Sequence, residues 1–234
     1  MEKSNKRALV VLSGGQDSVT CLGVALAEYE EVHAISFQYG QRHSVELDCA
    51  AKICQTYGVP LKLVDVSFFG TMVKSALTSD GEVSAKHESN EALPASFVPN
   101  RNALFLTLAH AYAQTIDACA VYTGVCQTDY SGYPDCRDTF IQQLEKTLNT
   151  GSERSISFVT PLMFLTKAET FKLAEVTGFL NVVIEDSHTC YEGDRSIEHA
   201  WGKGCGVCPS CLLRAKGWDE YMDMLDYESQ TRGQ

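Results

Sequence analysis

The sequence lacks any apolar run approaching the roughly 20 residues that a membrane-spanning helix requires. Positive charge is also scarce, because 19 lysines and arginines stand against 30 aspartates and glutamates and give a net charge of −11. Nucleic-acid binding is dominated by basic residues that neutralise phosphates, so this balance argues against a broad nucleic-acid-binding surface. Residues 1–12 do not have the pattern of a signal peptide. We expect a cytoplasmic protein with no membrane partner and no nucleic-acid partner.

The chain has 234 residues, and 44% of them are hydrophobic, which suits one sizeable domain with a full core. Ten cysteines without a secretion signal are typical of a reducing compartment, where thiols act as core residues or metal ligands. Four of them are predicted core thiols: Cys21, Cys49, Cys54 and Cys119. We expect residues 1–234 to form a single α/β domain with a small C-terminal zinc-binding segment at 188–224.

Strand-like and helix-like stretches alternate along the chain. Strands are predicted at 8–12, 32–37, 61–66, 118–125 and 156–162, and helices at 17–30, 44–57, 102–115, 138–148 and 167–177. Because helices between parallel strands make right-handed crossovers, the pattern predicts a doubly wound, mostly parallel five-stranded sheet with helices on both faces. The polar stretch 79–100 is predicted to be a long surface loop or lid, and 228–234 a frayed tail.

Six residues with the sequence SGGQDS, at 13–18, join the first predicted strand to the first helix. Glycines allow the backbone to approach an anion, and the first N–H groups of a helix have no partner within it, so this turn suits a phosphate. Ser13 and Ser18 add hydroxyl donors. The turn is not a Walker A loop, because no lysine follows its second glycine. The alternative interpretation is an ordinary strand-to-helix turn with an Asp or Ser cap.

Four cysteines near the C-terminus have the spacing of a metal site: Cys190, Cys205, Cys208 and Cys211. Two residues between successive cysteines bring sulfur atoms together, and the upstream cysteine can complete a tetrahedral site of four thiolates. A closed site of this kind has no open position for water, so we expect one structural zinc ion per chain. An iron–sulfur cluster, a redox pair and a disulfide are the alternatives.

Together with the segments between them, these two motifs resemble the QueC family, the 7-cyano-7-deazaguanine synthases of queuosine biosynthesis within the PP-loop superfamily. The similarity covers nearly the whole chain. Besides the two motifs, it is carried by FQYGQRH at 37–43, FVPNRN at 97–102, TDYSGYPDCR at 128–137, TPLM at 160–163 and LTKAET at 165–170. The sequence departs from the family at Asn100, where glycine is expected. Asparagine tolerates a positive φ, so the turn is expected to survive.

The resemblance implies an adenine nucleotide alpha-hydrolase-like fold with three layers, α/β/α, and an ATP-dependent C–N ligase. In this reaction 7-carboxy-7-deazaguanine, ammonia and ATP give the nitrile preQ0 through an adenylated carboxylate and an amide. Adenylation makes a poor electrophile reactive and supplies a leaving group. Mg²⁺ is expected to accompany the ATP and offset its charge. A homodimer is the expected assembly.

The resemblance also implies roles for individual residues. The N–H groups of 14–18 are expected to hold the β- and γ-phosphates, within a nucleotide-binding segment that consists of Leu12, Ser13, Gly14, Gly15, Gln16, Asp17, Ser18, Val19, Thr20, Cys21 and Leu22. The catalytic candidates are Asp17, Ser18, Arg101 and Lys167. Asp17 is expected to cap the helix or hold magnesium, and the two basic residues to neutralise the transferred phosphate. The alternative for Lys167 is an exposed lysine at a helix start.

Two loops are expected to bind the deazaguanine. Gln38, Tyr39 and Arg42 follow the second predicted strand, at the end of the sheet where ligands bind. The second loop supplies carboxylates for the guanine-like N–H groups, tyrosines for stacking and an arginine for the substrate carboxylate. Its candidates are Asp129, Tyr130, Tyr133, Asp135 and Arg137. The alternative is a polar turn built by Gly132 and Pro134.

Two other functions fit parts of the pattern. A tRNA thiolase or an amidotransferase-type synthetase also uses the phosphate loop, but a thiolase needs a basic tRNA-binding surface that the net charge opposes. Cys126 and Cys136 leave its catalytic cysteine pair open. A nucleic-acid-binding zinc module would need basic residues around the four cysteines, where only Arg195, Lys203, Arg214 and Lys216 are found.

Overall fold

The computed structural model describes residues 3–40, 44–73, 86–87, 90–94, 97–128 and 133–232. The strands are β1 (Ser4–Val11), β2 (Tyr29–Gln38), β3 (Leu61–Asp65), β4 (Lys86–His87), β5 (Asn90–Pro94), β6 (Ala118–Tyr122), β7 (Ser157–Val159), β8 (Glu198–His199) and β9 (Gly202–Lys203). The helices are α1 (Gln16–Glu28), α2 (Val45–Tyr57), α3 (Ser67–Met72), α4 (Arg101–Thr115), α5 (Asp138–Ser152), α6 (Lys167–Val176), α7 (Leu180–Glu185) and α8 (Pro209–Arg232).

Five parallel strands form the central sheet, in the order β3-β2-β1-β6-β7. The chain builds β2 and β3 on one side of β1 and then crosses to β6 and β7 on the other side. In doubly wound sheets, ligands bind at the carboxyl ends of the strands beside this reversal. The glycine turn 13–18 directly follows β1 and therefore lies at the reversal. The predicted doubly wound, five-stranded parallel sheet is confirmed.

Two apolar cores cover the two faces of the sheet, because successive residues of a strand point to opposite sides. Ala8 and Val10 of β1 belong to the first core, together with buried residues of α1, α2, α6, α7 and α8. Leu9 belongs to the second core, together with α4 and α5. The protein therefore has the three predicted layers. The cysteine-rich C-terminal segment packs into the first core through Cys190, Trp201, Cys208 and Cys211.

Some local predictions were wrong. The stretch 79–100 contains an antiparallel pair, β4 and β5, rather than only loop, and the part of it at 79–85, 88–89 and 95–96 lies outside the described residues. Three short elements, α3, α7 and the β8–β9 hairpin, were not predicted. The tail at 228–232 is helical rather than frayed. Its Glu228 carboxylate lies 3.1 Å from the Lys172 ammonium, which ties the end of α8 to α6.

Three of the predicted core thiols, Cys21, Cys49 and Cys54, are buried, and Cys119 is half-buried against the first core. Among the described residues, no helix is both long enough and apolar enough to cross a bilayer.

Close packing between α1 and the residue before α7 generates a stability prediction. A Cβ on Gly23 of α1 would lie 2.6 Å from the ring of Phe179, whereas a Cβ on Gly151 of α5 would meet nothing within 4 Å. We expect Gly23→Ala to lower the free energy of unfolding by about 1–3 kcal/mol through overpacking. The matched control Gly151→Ala should raise it by up to about 1 kcal/mol, since alanine favours helix. Urea denaturation measures both, and an equal effect of the two substitutions would contradict the close contact.

Candidate active site

The glycine turn lies against the first turn of α2. Gly14 has a φ of +92°, and a Cβ at this position would lie 2.0 Å from the carbonyl oxygen of Glu46. Neither the backbone conformation nor the space admits another residue type. Gly124, which follows β6, packs against the start of α1, because its Cβ would lie 3.0 Å from the carbonyl carbon of Asp17. Glycines thus bring the end of β1 close to α2 and the segment after β6 close to α1.

Serine hydroxyls organise the turn from within. The N–H groups of Ser13 and Gly14 each donate to Ser18 Oγ at 3.2 Å, and the N–H of Gly15 donates to Ser13 Oγ at 3.3 Å. The two hydroxyls are 3.0 Å apart. Gln16, the first residue of α1, donates its N–H to Thr189 Oγ1 at 3.4 Å. Several N–H donors therefore converge on one small volume at the start of α1, which is the geometry of an anion site.

Asp17 is not the cap of α1. The N-cap is Gly15, which makes no side-chain cap bond, and Asp17 instead accepts a hydrogen bond from Lys167 at 2.7 Å. Its other carboxylate oxygen, Oδ1, is buried and makes no hydrogen bond within the described part of the chain.

Lys167 is positioned by the capping box of α6 and by close packing against α8. Thr166 and Glu169 form a capping box that fixes where the helix begins, so Lys167 is its first residue. Gly217 of α8 leaves room beside it, since a Cβ there would lie 2.4 Å from Lys167 Cβ. Only 15% of the Lys167 side chain is exposed, so it is not a solvent-exposed lysine at a helix start.

Five members of the predicted nucleotide-binding segment are fully buried in the first core: Leu12, Val19, Thr20, Cys21 and Leu22. Their side chains support the turn from beneath and do not face its open side.

Arg101 is the centre of a second group of polar and aromatic side chains, which we call the Arg101 cluster: Tyr39, Glu46, Arg101, Tyr133 and Asp135. Its guanidinium carbon lies 5.7 Å from the centroid of the Tyr39 ring. Burial alone lowers the pKa of the Arg101 guanidinium. The acidic groups around it nevertheless raise this pKa above its ordinary value, and these groups are Tyr39, Tyr133, Asp135 and Cys136. The cluster is therefore a half-buried site with a fixed positive charge.

Two local features hold this cluster in place. Asn100, the N-cap of α4, has a φ of +59°, so the asparagine adopts the left-handed turn that was expected of it. Asp135, in a short 3₁₀ helix at Pro134–Cys136, accepts the N–H of Asn102 at 3.1 Å and so caps α4 from a distant loop. Burial raises the pKa of the Asp135 carboxyl.

Glu46 was not identified from the sequence. It lies in the first turn of α2, and burial raises the pKa of its carboxyl to about 7, while Arg101 opposes this shift. The sequence did contain a signal that could have identified Glu46. This carboxylate lies three residues after the segment FQYGQRH, on a helix whose apolar stripe faces the sheet. The backbone of Glu46 contacts the glycine turn, so α2 joins the turn to the Arg101 cluster.

The remaining substrate candidates divide into two groups. Gln38, at the end of β2, and Arg137, at the N-cap of α5, are exposed. Arg42, Asp129 and Tyr130 lie outside the described residues. Of the eight candidates, the structure brings Tyr39, Tyr133 and Asp135 together around Arg101.

The four C-terminal cysteines form a compact cluster. Their Sγ atoms all lie within 4.8 Å of one another, with 3.9 Å between Cys205 and Cys211 and between Cys190 and Cys208. Gly206, with a φ of +76°, makes the turn between two of them. The N–H groups of Val207 and Cys208 point at Cys205 Sγ from 3.5 and 3.3 Å. Four thiols in this arrangement can hold a metal ion.

A parallel sheet in this order, with a serine- and glycine-rich turn at the reversal of strand order, defines a doubly wound α/β domain with a candidate anion site. A family model described as "Queuosine biosynthesis protein QueC" matches residues 7–222, and the chain belongs to this family.

Individual relatives agree with this assignment. The chain is 52% identical to the 7-cyano-7-deazaguanine synthase of Wolinella succinogenes, over 95% of this chain and 96% of that protein. It is 47% identical to the 7-cyano-7-deazaguanine synthase of Helicobacter pylori strain Shi470, over 91% of this chain and 95% of that protein. Among solved structures, NMN synthetase from Francisella tularensis aligns with a TM-score of 0.49 and 14% identity, over 92% of this chain and 84% of that chain.

The buried carboxyl of Glu46 generates a prediction about pH. Because its pKa in the folded protein lies near 7, above the ordinary 4.5, folding favours the protonated form, and this contribution to stability is lost as the pH rises through 7. We expect Glu46→Gln to raise the free energy of unfolding relative to the parent by about 1–3 kcal/mol at pH 8.5 and by less at pH 6. Chemical denaturation at both pH values measures this.

The matched control for Glu46 is Glu30→Gln, which removes the same charge from an exposed position of β2. Its effect on stability should stay within about 0.5 kcal/mol of the parent at both pH values. A gain for Glu46→Gln that is the same at pH 6 and pH 8.5 would contradict a buried, raised-pKa carboxyl.

Proposed function

We propose that this protein is a 7-cyano-7-deazaguanine synthase that converts 7-carboxy-7-deazaguanine, ammonia and ATP into the nitrile. The observation that carries the proposal is the pairing of two sites across the start of α2. One is the anion site at 13–18 with Lys167 beside it, and the other is the Arg101 cluster. The anion site binds phosphates. The Arg101 cluster suits a planar anionic ring, because it provides a cation and two aromatic side chains. The full-length similarity to named synthases supports the same reaction.

The anion site is proposed to bind the ATP phosphates. The N–H groups of Gly14 and Gly15 exchange their bonds to the serine hydroxyls for bonds to phosphate oxygens, and Lys167 offsets the charge that develops on the pyrophosphate. Magnesium would supply further charge neutralisation. The buried Asp17 Oδ1, which lacks a hydrogen-bond partner within the described residues, fits an oxygen ligand for that ion.

The Arg101 cluster is proposed to bind the deazaguanine. Arg101 pairs with the substrate carboxylate, while the aromatic side chains of Tyr39 and Tyr133 border the heterocycle. Asp135 keeps one oxygen on the N–H of Asn102, so the other is the acceptor for a substrate N–H.

The proposed chemistry runs in two activations. The substrate carboxylate attacks the α-phosphorus of ATP and pyrophosphate leaves; ammonia then attacks the acyl carbon, and AMP leaves with formation of the amide. The amide oxygen attacks the α-phosphorus of a second ATP and a second pyrophosphate leaves; loss of AMP and two protons then gives the nitrile. Glu46 is suited to accept a proton from the attacking nitrogen, because a carboxyl with a pKa near 7 changes protonation state readily at neutral pH.

A mass-resolved assay with 7-carboxy-7-deazaguanine, Mg-ATP and ¹⁵N-ammonium tests this reaction. We expect the labelled nitrile together with AMP and pyrophosphate. Lys167→Met should lower kcat by about 100-fold or more, the usual loss when a charge that stabilises the transition state is removed. The matched control is Lys172→Met, one and a half turns further along α6, which pairs with Glu175 and Glu228 and should stay within about twofold of the parent.

Either of two results would overturn part of the proposal. Release of ADP and phosphate would keep the substrate and discard adenylation. Absence of the nitrile with folded, metal-loaded protein would discard the synthase reaction itself.

We also propose that the cysteine cluster holds one zinc ion. A tetrahedral ion with zinc–sulfur bonds of about 2.3 Å places its sulfurs about 3.8 Å apart, close to the 3.9 Å separations found here. In a four-iron cluster each cysteine binds a different iron, which needs a wider cage of sulfurs. The N–H groups that face Cys205 Sγ stabilise a thiolate there.

Metal analysis tests the zinc proposal. We expect one zinc per chain, loss of that zinc in Cys208→Ser, and a midpoint of thermal unfolding lower by about 5 °C or more, since a structural metal contributes to folding energy. The control Cys119→Ala, which removes a half-buried thiol outside the cluster, should keep its zinc. Iron with a charge-transfer absorption band in the purified protein would contradict a zinc site.

The cellular setting follows from the same chemistry. None of the ten cysteines forms a disulfide in the described structure, which agrees with a cytoplasmic enzyme that has access to ATP and free ammonia. A homodimer remains the predicted assembly.

A further inference from the structure

Arg214 of α8 is the largest of the fully buried side chains in the described part of the chain, with 1% of its surface exposed. It follows the metal-ligand candidate Cys211 by one turn. Its guanidinium donates to the carbonyl of Trp201 at 2.9 Å, to the carbonyl of Val183 at 2.6 Å and to Thr189 Oγ1 at 3.1 Å. All of these acceptors are neutral.

A buried charge is costly unless it is compensated, and burial lowers the pKa of Arg214 to about 10, so the guanidinium still carries its charge at neutral pH. Within the described residues, no carboxylate lies within ion-pair distance of Arg214. Among the acidic groups around it, Asp17 opposes the effect of burial on this pKa most strongly, followed by the thiol of Cys211. The positive charge of Arg214 therefore acts on Asp17 of the glycine turn as well as on the cysteine cluster.

The fold makes specific room for this arginine. Gly202 has a φ of +126°, and a Cβ at this position would lie 2.6 Å from one nitrogen of the guanidinium. The guanidinium carbon also lies 5.9 Å from the centroid of the Trp201 ring. The fold thus makes room for a charged side chain at a position of α8 where the buried stripe is otherwise apolar. This placement indicates a role for the charge itself.

Thr189 links Arg214 to the anion site. Its hydroxyl oxygen accepts hydrogen bonds from Arg214 and from the N–H of Gln16, at 3.1 and 3.4 Å. The neighbouring His188 donates its backbone N–H to the carbonyl of Gly14 at 2.9 Å. A short path of contacts thus joins the cysteine-rich segment to both sides of the glycine turn.

We propose that Arg214 is a positioning residue for the nucleotide: its buried charge attracts the triphosphate, and its bond to Thr189, which also accepts the N–H of Gln16, fixes the start of α1 beside the anion site. This inference rests on the proposed use of ATP. It predicts a loss of affinity for phosphate groups and not for the nucleoside, because only the phosphates meet the turn. A purely architectural arginine would change stability without such selectivity.

Calorimetric titration of zinc-loaded protein with ATP, pyrophosphate and adenosine tests the inference. Arg214→Gln should bind ATP and pyrophosphate about 10-fold or more weakly, with adenosine within about twofold of the parent. Arg214→Lys, which keeps the charge, should recover ATP affinity to within about threefold. In steady-state kinetics the loss should appear mainly in KM for ATP.

The matched control is Arg195→Gln. Arg195 also ties the same segment together, since its guanidinium donates to the carbonyls of Ser187 and Glu185, both at 3.0 Å. Its ATP affinity should stay within about twofold of the parent, because it makes no contact with the glycine turn or Thr189.

Three results would overturn the inference: parent-like ATP affinity in folded Arg214→Gln, equal losses for ATP and adenosine, or no recovery in Arg214→Lys. If Arg214→Gln does not fold, Thr189→Val decides, with weaker ATP binding expected and parent-like binding overturning the inference. Parent protein that binds ATP but makes no nitrile would refute the synthase reaction alone, so the two failures are distinguishable.

Discussion

The close contact between the glycine turn and the first turn of α2 is the constraint on which the rest of the site depends. With no Cβ at Gly14, the backbone of the turn rests directly on the carbonyl of Glu46. That contact sets how far the anion site lies from the Arg101 cluster, because Glu46 belongs to the helix that borders both. If the anion site lay further from the Arg101 cluster, the proposed phosphate and ring sites could not hold two reactants close enough to react with each other.

Positive charge is distributed very unevenly in this acidic protein. The chain has a net charge of −11, yet Arg101, Lys167 and Arg214 all lie at the carboxyl end of the sheet beside the crevice. Each of these charges is at least partly withdrawn from water. Charges in such positions are poorly screened and act strongly over short distances. The acidic exterior is screened by salt within about 8 Å, so it does not cancel the local field. The proposed site is therefore suited to anions although the net charge of the protein is negative.

The features that sequence reasoning identified are local in the chain. The strand–turn–helix at 13–18, the spacing of the four cysteines and the alternation of strands and helices each depend on neighbouring residues, and the structure contains all three. The positive φ of Asn100 was also predictable, since few residue types tolerate it. What sequence reasoning missed depends on distant contacts. Asp17 was a candidate helix cap, but Lys167, from a helix far along the chain, engages it instead.

Burial of a charged group is a tertiary property, and for this reason Glu46 and Arg214 were not assigned roles from the sequence. For Arg214 a signal was present: it falls on the stripe with Cys211, Trp218 and Tyr221, at a position where an apolar residue is expected. The short elements α3 and α7 and the β8–β9 hairpin were missed for a related reason. They have too few residues for a periodic pattern and are held by tertiary contacts.

The partners of the glycine turn also impose an order of assembly on the protein. Asp17 and Lys167 are separated by 150 positions, and Gln16 and Thr189 by 173. During synthesis the turn therefore emerges at least 150 residues before the groups that complete it. A nascent chain can form β1, α1 and β2 long before Lys167 and Thr189 are available to the turn. Nucleotide binding of the kind proposed would therefore report that the chain has folded at least as far as Thr189, and shorter chains would not sequester ATP.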